Sequence, residues 1–138
     1  MGRRRQARIL VLNALFQMDV GGASVEEALG NVAQEAKEPS LLNFVTEMTR
    51  GIMEQKERLD RLIECKAENW SLERIARVDR NLLRMGIYEL LFRPDVPASV
   101  AINEAVELAK RYGDEKSGAF VNALLDSVRT TEVTRSEL

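Results

Sequence analysis

Apolar residues recur along most of this chain at spacings of three and four, and nowhere in sustained alternation, so the pattern predicts helices and no sheet. Residues 3–20 read as the first helix. At about 100° per residue, Ala7, Leu10, Val11, Ala14, Leu15 and Met18 share one arc, and Ile9, Leu12, Phe16 and Val20 share a second. Gln6, Asn13 and Gln17 form a polar strip between the arcs, with Arg4, Arg8 and Asp19 on the other side. A surface helix has one apolar face. Two arcs predict a helix held between two packing partners and central to the fold. Gly21-Gly22 ends it.

Ser24-Val25-Glu26-Glu27 has the form of a capping box and opens a helix over about 24–36. Two further helices follow, over about 40–56 and 57–68, with no strong breaker between them, so one bent helix is an alternative. Trp70-Ser71 marks the next start, with Ser71 as the expected N-cap of a short helix over 71–76. A long helix over 79–92 is closed by Pro94 and Pro97. The segment over 97–112 turns Val100, Ile102, Ala105, Val106 and Ala109 inward, with Glu107 spaced to pair with Arg111, and Gly113 ends it. The last helix, over 115–129, carries Phe120, Val121, Leu124, Leu125 and Val128. The expected fold class is all-α: a compact bundle of about seven helices, with one domain over 1–130 and a flexible polar tail over 131–138.

Composition narrows the chemistry. The chain has 138 residues, one cysteine and no histidine. Imidazole catalysis is therefore excluded, as are an intrachain disulfide and a thiolate zinc cluster. No apolar run is long enough to span a membrane, and the arginine-led N-terminus lacks the apolar core and cleavage site of a signal peptide. The expected setting is the cytoplasm. The net charge of −2 hides an asymmetry, because residues 1–8 hold Arg3, Arg4, Arg5 and Arg8 and no acid, which leaves 16 bases and 22 acids for the rest. A basic end on an acidic body can meet a polyanion that the body repels.

Individual residues leave alternatives open. Arginine binds phosphate bidentately, but a basic terminus can equally be a solvated end. Asn103 and Asn122 sit inside apolar helical patterns and are expected to satisfy buried backbone groups. Tyr112 and Phe120 flank the polar loop Gly113-Asp114-Glu115-Lys116-Ser117-Gly118, where aromatics either plug a core or stack on unpaired bases. Glu104 and Glu107 share a helix face without a histidine to complete a metal site, and Ser117 has no candidate general base. Phosphate-cradling glycine motifs are absent as well. The expectation is no enzyme, no cofactor and no metal.

Three blocks, read together, carry a resemblance: RRRQARILVLNALFQ at 3–17, W-S-x5-V-D-R-x-L-L-R-x3-Y-E-L-L at 70–91, and DVPASVAINEAVELAKRYGDEKSGAFVNALLD at 95–126. In this order they resemble the NusB family of bacterial transcription antitermination factors, over nearly the whole chain. The resemblance implies two three-helix subdomains sharing a long N-terminal helix. It implies pairing with NusE, a small-subunit ribosomal protein, and binding of single-stranded boxA RNA in nascent ribosomal RNA transcripts. Other Nus factors and RNA polymerase are then engaged indirectly. By position, it implies RNA contacts from Arg4, Arg5, Arg8, Asn13, Phe16, Glu73, Tyr112, Lys116 and Phe120. Asp79 and Arg80 fall in the NusE-facing region, where ordinary helix-surface salt bridging is the other reading. Lys116 departs from the family, which often has an acid there, Phe16 replaces a frequent tyrosine, and Ala123 a common glycine. A homodimeric interaction scaffold without RNA binding is the main alternative. The RNA-binding domain of a ribosomal RNA cytosine methyltransferase is disfavoured because the chain stops at Leu138. A helix-turn-helix DNA binder is disfavoured because no internal helix has a dense basic face.

Overall fold

The computed structural model describes residues 2–68 and 70–133. Among these residues there are seven α-helices, one 3₁₀ turn and no strand. The helices are α1 (Arg3–Asp19), α2 (Val25–Ala33), α3 (Pro39–Glu54), α4 (Lys56–Lys66), α5 (Arg77–Phe92), α6 (Ala98–Tyr112) and α7 (Ser117–Glu132), with the 3₁₀ turn at Leu72–Arg74. The chain divides into two compact units, one ending at Glu54 and the other beginning at Gln55.

In the first unit, α1 packs against both α2 and α3. Its first arc is buried at Ala7, Leu10, Val11, Ala14 and Leu15. The second arc is less complete: Leu12 is buried, Ile9 and Phe16 are half-buried, and Val20 is exposed just past the helix end. Gly22 takes a positive φ of 70°, which glycine adopts at no steric cost, and turns the chain towards α2. The capping box forms as expected. Ser24 Oγ accepts from the Glu27 N–H at 3.1 Å, and Glu27 Oε1 accepts from the Ser24 N–H at 3.0 Å.

The second unit is built around α5, which packs against α4, α6 and α7. Every residue from Asp79 to Ile87 on this helix is buried, five of them polar, charged or glycine. Gly86 permits the close approach of α7, since a Cβ there would lie 2.7 Å from Leu125 Cδ1. The buried charge of Arg84 is met by Asp60 on α4 through two bonds of 2.7 and 3.1 Å, and by Asn81 Oδ1 at 2.9 Å. Asn81 in turn donates to the Arg77 carbonyl at 3.0 Å. This bidentate pair fixes the register of α4 on α5.

Several expectations need correction. The third and fourth segments are separate helices, as first expected, and it is the alternative of one bent helix that fails, at Gln55. Ser71 makes no side-chain cap, because the segment it opens is only a three-residue turn. Glu64 on α4 replaces it, accepting from the Leu72 N–H at 3.2 Å. Asn103 and Asn122 are exposed, each one residue, and so about 100°, past a buried position, Ile102 and Val121. Val100 is 43% exposed for the same reason of phase. Glu107 pairs with Lys110 at 3.4 Å, while Arg111 lies against the Tyr112 ring. The last helix runs on to Glu132, where Lys66 of α4 meets Thr131 Oγ1 at 2.6 Å and Glu132 at 3.8 Å. The remainder of the expected tail, 134–138, lies outside the described residues.

Asp60→Ala leaves Arg84 buried and without its carboxylate, and is expected to lower the unfolding free energy by about 3–5 kcal/mol. Thermal or denaturant unfolding of the variant checks this, and an unchanged midpoint would show the pair to be dispensable.

Candidate nucleic-acid interface

The N-terminal arginines of α1 are not equivalent. Arg3 and Arg4 are exposed, Arg5 is half-buried, and Arg8 is only 2% exposed. The Arg4 guanidinium carbon lies over the Phe44 ring of α3, 4.2 Å from its centroid, and that of Arg8 lies 5.8 Å from the same centroid. A cation–π contact holds the guanidinium near the ring while leaving its charge available to a phosphate. Arg3 is held by Glu38 at 3.0 Å, with both groups well exposed, so a phosphate can displace the carboxylate at little cost. Arg8 is too buried to meet a phosphate directly; its place is beneath the arm, against Phe44. One and two turns further along α1, Asn13 is exposed and Phe16 is half-buried, and both line a shallow concavity with Gln17 and Asn31, which are joined by a 2.7 Å hydrogen bond.

The second unit carries a separate pocket of about 300 Å³, walled by Trp70, Ile75 and Phe120, with Asp79 and Asp114 among its linings and Lys116 and Arg74 bringing positive charge. Trp70 is 53% exposed, an unusual position for so large an apolar ring. Phe120 is half-buried, so it serves the core and the pocket together. The loop between α6 and α7 is fixed by its own hydrogen bonds. Asp114 Oδ1 accepts from the Lys116 N–H at 2.8 Å, and Ser117 Oγ accepts from the Asp114 N–H at 3.0 Å. The Ser117 hydroxyl also donates to Asp114 Oδ1 at 3.3 Å. Gly113 is required here, because a Cβ would collide with the Ser117 side chain and lie 2.8 Å from the Ala109 carbonyl oxygen.

Of the residues expected from the sequence, Lys116, Phe120 and Asp79 converge on this pocket, whereas Glu73 and Tyr112 do not line it. Glu73 is exposed on the 3₁₀ turn, and Tyr112 is 42% exposed with the Arg111 guanidinium 5.2 Å from its ring centroid. Asp79 and Arg80 are both buried, which removes the reading of ordinary surface salt bridging; Arg80 donates to the Leu72 carbonyl at 3.4 Å. Trp70, Arg74 and Asp114 were missed. Trp70 is the only tryptophan in the chain and sits in a polar stretch, a signal passed over in favour of its neighbour as a helix start. Among the described residues there is no group of three acids, cysteines or histidines able to hold a metal, and no helix long and apolar enough to cross a membrane.

Residues 5–130 match the NusB family. The chain is 46% identical over 133 residues to a transcription antitermination protein NusB of Myxococcus xanthus, covering 93% of this chain and 95% of that protein. The structure superposes on NusB of T. maritima with a TM-score of 0.91 at 40% identity, covering 99% and 96% of the two chains. It also superposes, with a TM-score of 0.85 at 28% identity and 93% and 96% coverage, on a chain from a crystal structure of antitermination factors NusB and NusE in complex with dsRNA.

Burial pushes the Asp79 carboxyl above its ordinary value; the Ser117 hydrogen bond opposes this, and the Asp114 carboxylate adds to it. The folded state therefore holds this proton to higher pH than the unfolded chain does. Stability falls as pH rises from the ordinary aspartate value through the folded one. Asp79→Asn cannot ionise and is expected to gain stability over the native chain as pH rises through that window. Denaturant unfolding across the acid range tests this, and parallel profiles would contradict it.

Proposed function

The chain belongs to the NusB family, and from that premise we propose that it is a transcription antitermination factor that binds boxA RNA together with a NusE-type ribosomal protein. The carrying observation is the match over residues 5–130, joined to an arginine arm on α1 and an aromatic pocket with cationic groups in the second unit. The NusB chain it resembles at 28% identity was crystallised with NusE and dsRNA. The arm supplies phosphate contacts from Arg4 and Arg5, with Arg8 positioning them from beneath. Asn13 and Phe16 follow along the same helix. Lys116, Phe120 and Tyr112 offer the second unit's contacts, with Glu73 near them in sequence. Asp79 and Arg80 act on partner docking through the turn and loop they hold, since their own side chains are buried.

No bond is made or broken in this mechanism; the chain is a non-catalytic adaptor working in the cytoplasm, on nascent transcripts. Phosphate contacts position single-stranded RNA, and stacking with base-edge contacts gives sequence preference. An acidic body suits a basic partner, whose own positive surface would extend the RNA track. Two modest contacts on one strand then reinforce each other. Recruitment of other Nus factors and polymerase follows from the assembled complex.

The chain with NusE is expected to shift a boxA RNA more strongly than either protein alone, and a scrambled sequence less. Equal binding to scrambled RNA contradicts the specificity, and a stable dimer indifferent to RNA favours the scaffold reading. Replacing Arg4 and Arg5 by alanine is expected to weaken binding and to flatten the slope of log affinity against log salt by about 1.4, at about 0.7 per phosphate contact on a single strand. Arg8→Ala is expected to act on stability more than on that slope, and a matching loss of slope would overturn its placement beneath the arm.

A further inference from the structure

The first two arginines of α1 are held in chemically different ways. Arg3 is paired with the Glu38 carboxylate at 3.0 Å. Arg4 has no ion pair among the described residues and rests on the Phe44 ring, its guanidinium carbon 4.2 Å from the centroid. A carboxylate offsets the charge it holds and must be displaced before a phosphate can bind. An aromatic face attracts a cation through its quadrupole but carries no net charge, so the cation keeps its field. Phe44 is 5% exposed and lies on the buried stripe of α3 with Val45, Met48 and Ile52. Packing therefore fixes the ring, and the ring restricts where an exposed, flexible arginine sits. Arg8 is a second cation near it, 5.8 Å from the centroid, but at 2% exposure it is out of a phosphate's reach.

We propose that Phe44 is a positioning residue for RNA binding: its ring pre-orders Arg4 for a backbone phosphate without neutralising it. This role rests on the RNA-binding reading and adds to it a buried residue of α3 that makes no phosphate contact of its own. An arginine already held in place loses less freedom when it binds, and the saving appears as affinity. Two consequences separate this role from plain packing. Phe44 acts through Arg4, so its effect on affinity disappears when Arg4 is removed. It adds no phosphate contact, so weakening it lowers affinity without changing the slope of log affinity against log salt, which counts such contacts. The sign is fixed as well, because a ring that withheld Arg4 from RNA would give tighter binding once its hold is weakened.

Truncating a buried ring would open a cavity in the core, so the test keeps the ring and changes its electrons. Phe44 of the full chain is replaced by mono-, di- and trifluorinated phenylalanine, which draw charge from the ring face in steps while nearly preserving its shape. Binding of boxA RNA in the presence of NusE is followed over a salt series. Affinity is expected to fall with each added fluorine, by about two- to fivefold across the series, with the salt slope unchanged. In an Arg4→Ala background, where the slope itself is lower by about 0.7, the same replacements are expected to leave affinity as it is. Constant affinity across the series, tighter binding with fluorine, a slope that falls with affinity, or a loss that persists in the Arg4→Ala background each overturns the positioning role while leaving RNA binding intact. Failure of the native chain with NusE to bind boxA RNA at low salt removes the RNA-binding reading itself.

Discussion

The Ser117 hydroxyl is the small contact on which the second unit's candidate site depends. It accepts from the Asp114 N–H and donates to the Asp114 carboxylate on the loop. Through it the start of α7 and the loop before it share one polar node. The loop has no slack around this node, because Gly113 leaves no room for a side chain against Ser117. Lys116 is held by its backbone N–H to Asp114, so a cation is presented at the pocket from a fixed backbone. Rigid placement of this kind limits the ordering cost that a bound strand would otherwise incur.

The first unit uses a different device. Its cations lie on the first turns of a helix and not on a loose arm, and one of them lies over the Phe44 ring. A cation–π contact is worth about 0.5–1 kcal/mol at an exposed site, enough to bias where Arg4 sits without burying its charge. A net charge near zero is therefore a poor guide to what this protein binds. The charge is divided by position, and the basic part is held in a presented form.

Much of the fold was legible in the sequence because helix signals here are local. The apolar spacing of α1, the capping box at Ser24 and the prolines before α6 each placed an element within a few residues. Errors came where a partner distant in sequence decides the outcome. Glu64, not Ser71, satisfies the start of the 3₁₀ turn, and Lys66 extends order along α7 to Thr131. The near-complete burial of α5 was not foreseen, since its charged residues look like a solvent face until Asp60 is found opposite Arg84. Of the candidate site, the resemblance supplied the residues but not their environments. It could not tell that Arg8 is buried while Arg4 is exposed, or that Asp79 and Phe120 meet an exposed Trp70. Those facts are set by packing, which no spacing rule contains.

The central claim is that two separate surfaces, the α1 arginines and the Trp70 pocket, both engage one RNA strand. Amide chemical shifts of the full chain, followed as boxA RNA is added in the presence of NusE, test it most directly. Perturbations are expected over residues 4–16 and over 112–120, titrating together with a single midpoint. Shifts confined to one of these segments, or centred instead on the exposed Asn103 and Asn122 side of α6 and α7, would contradict it.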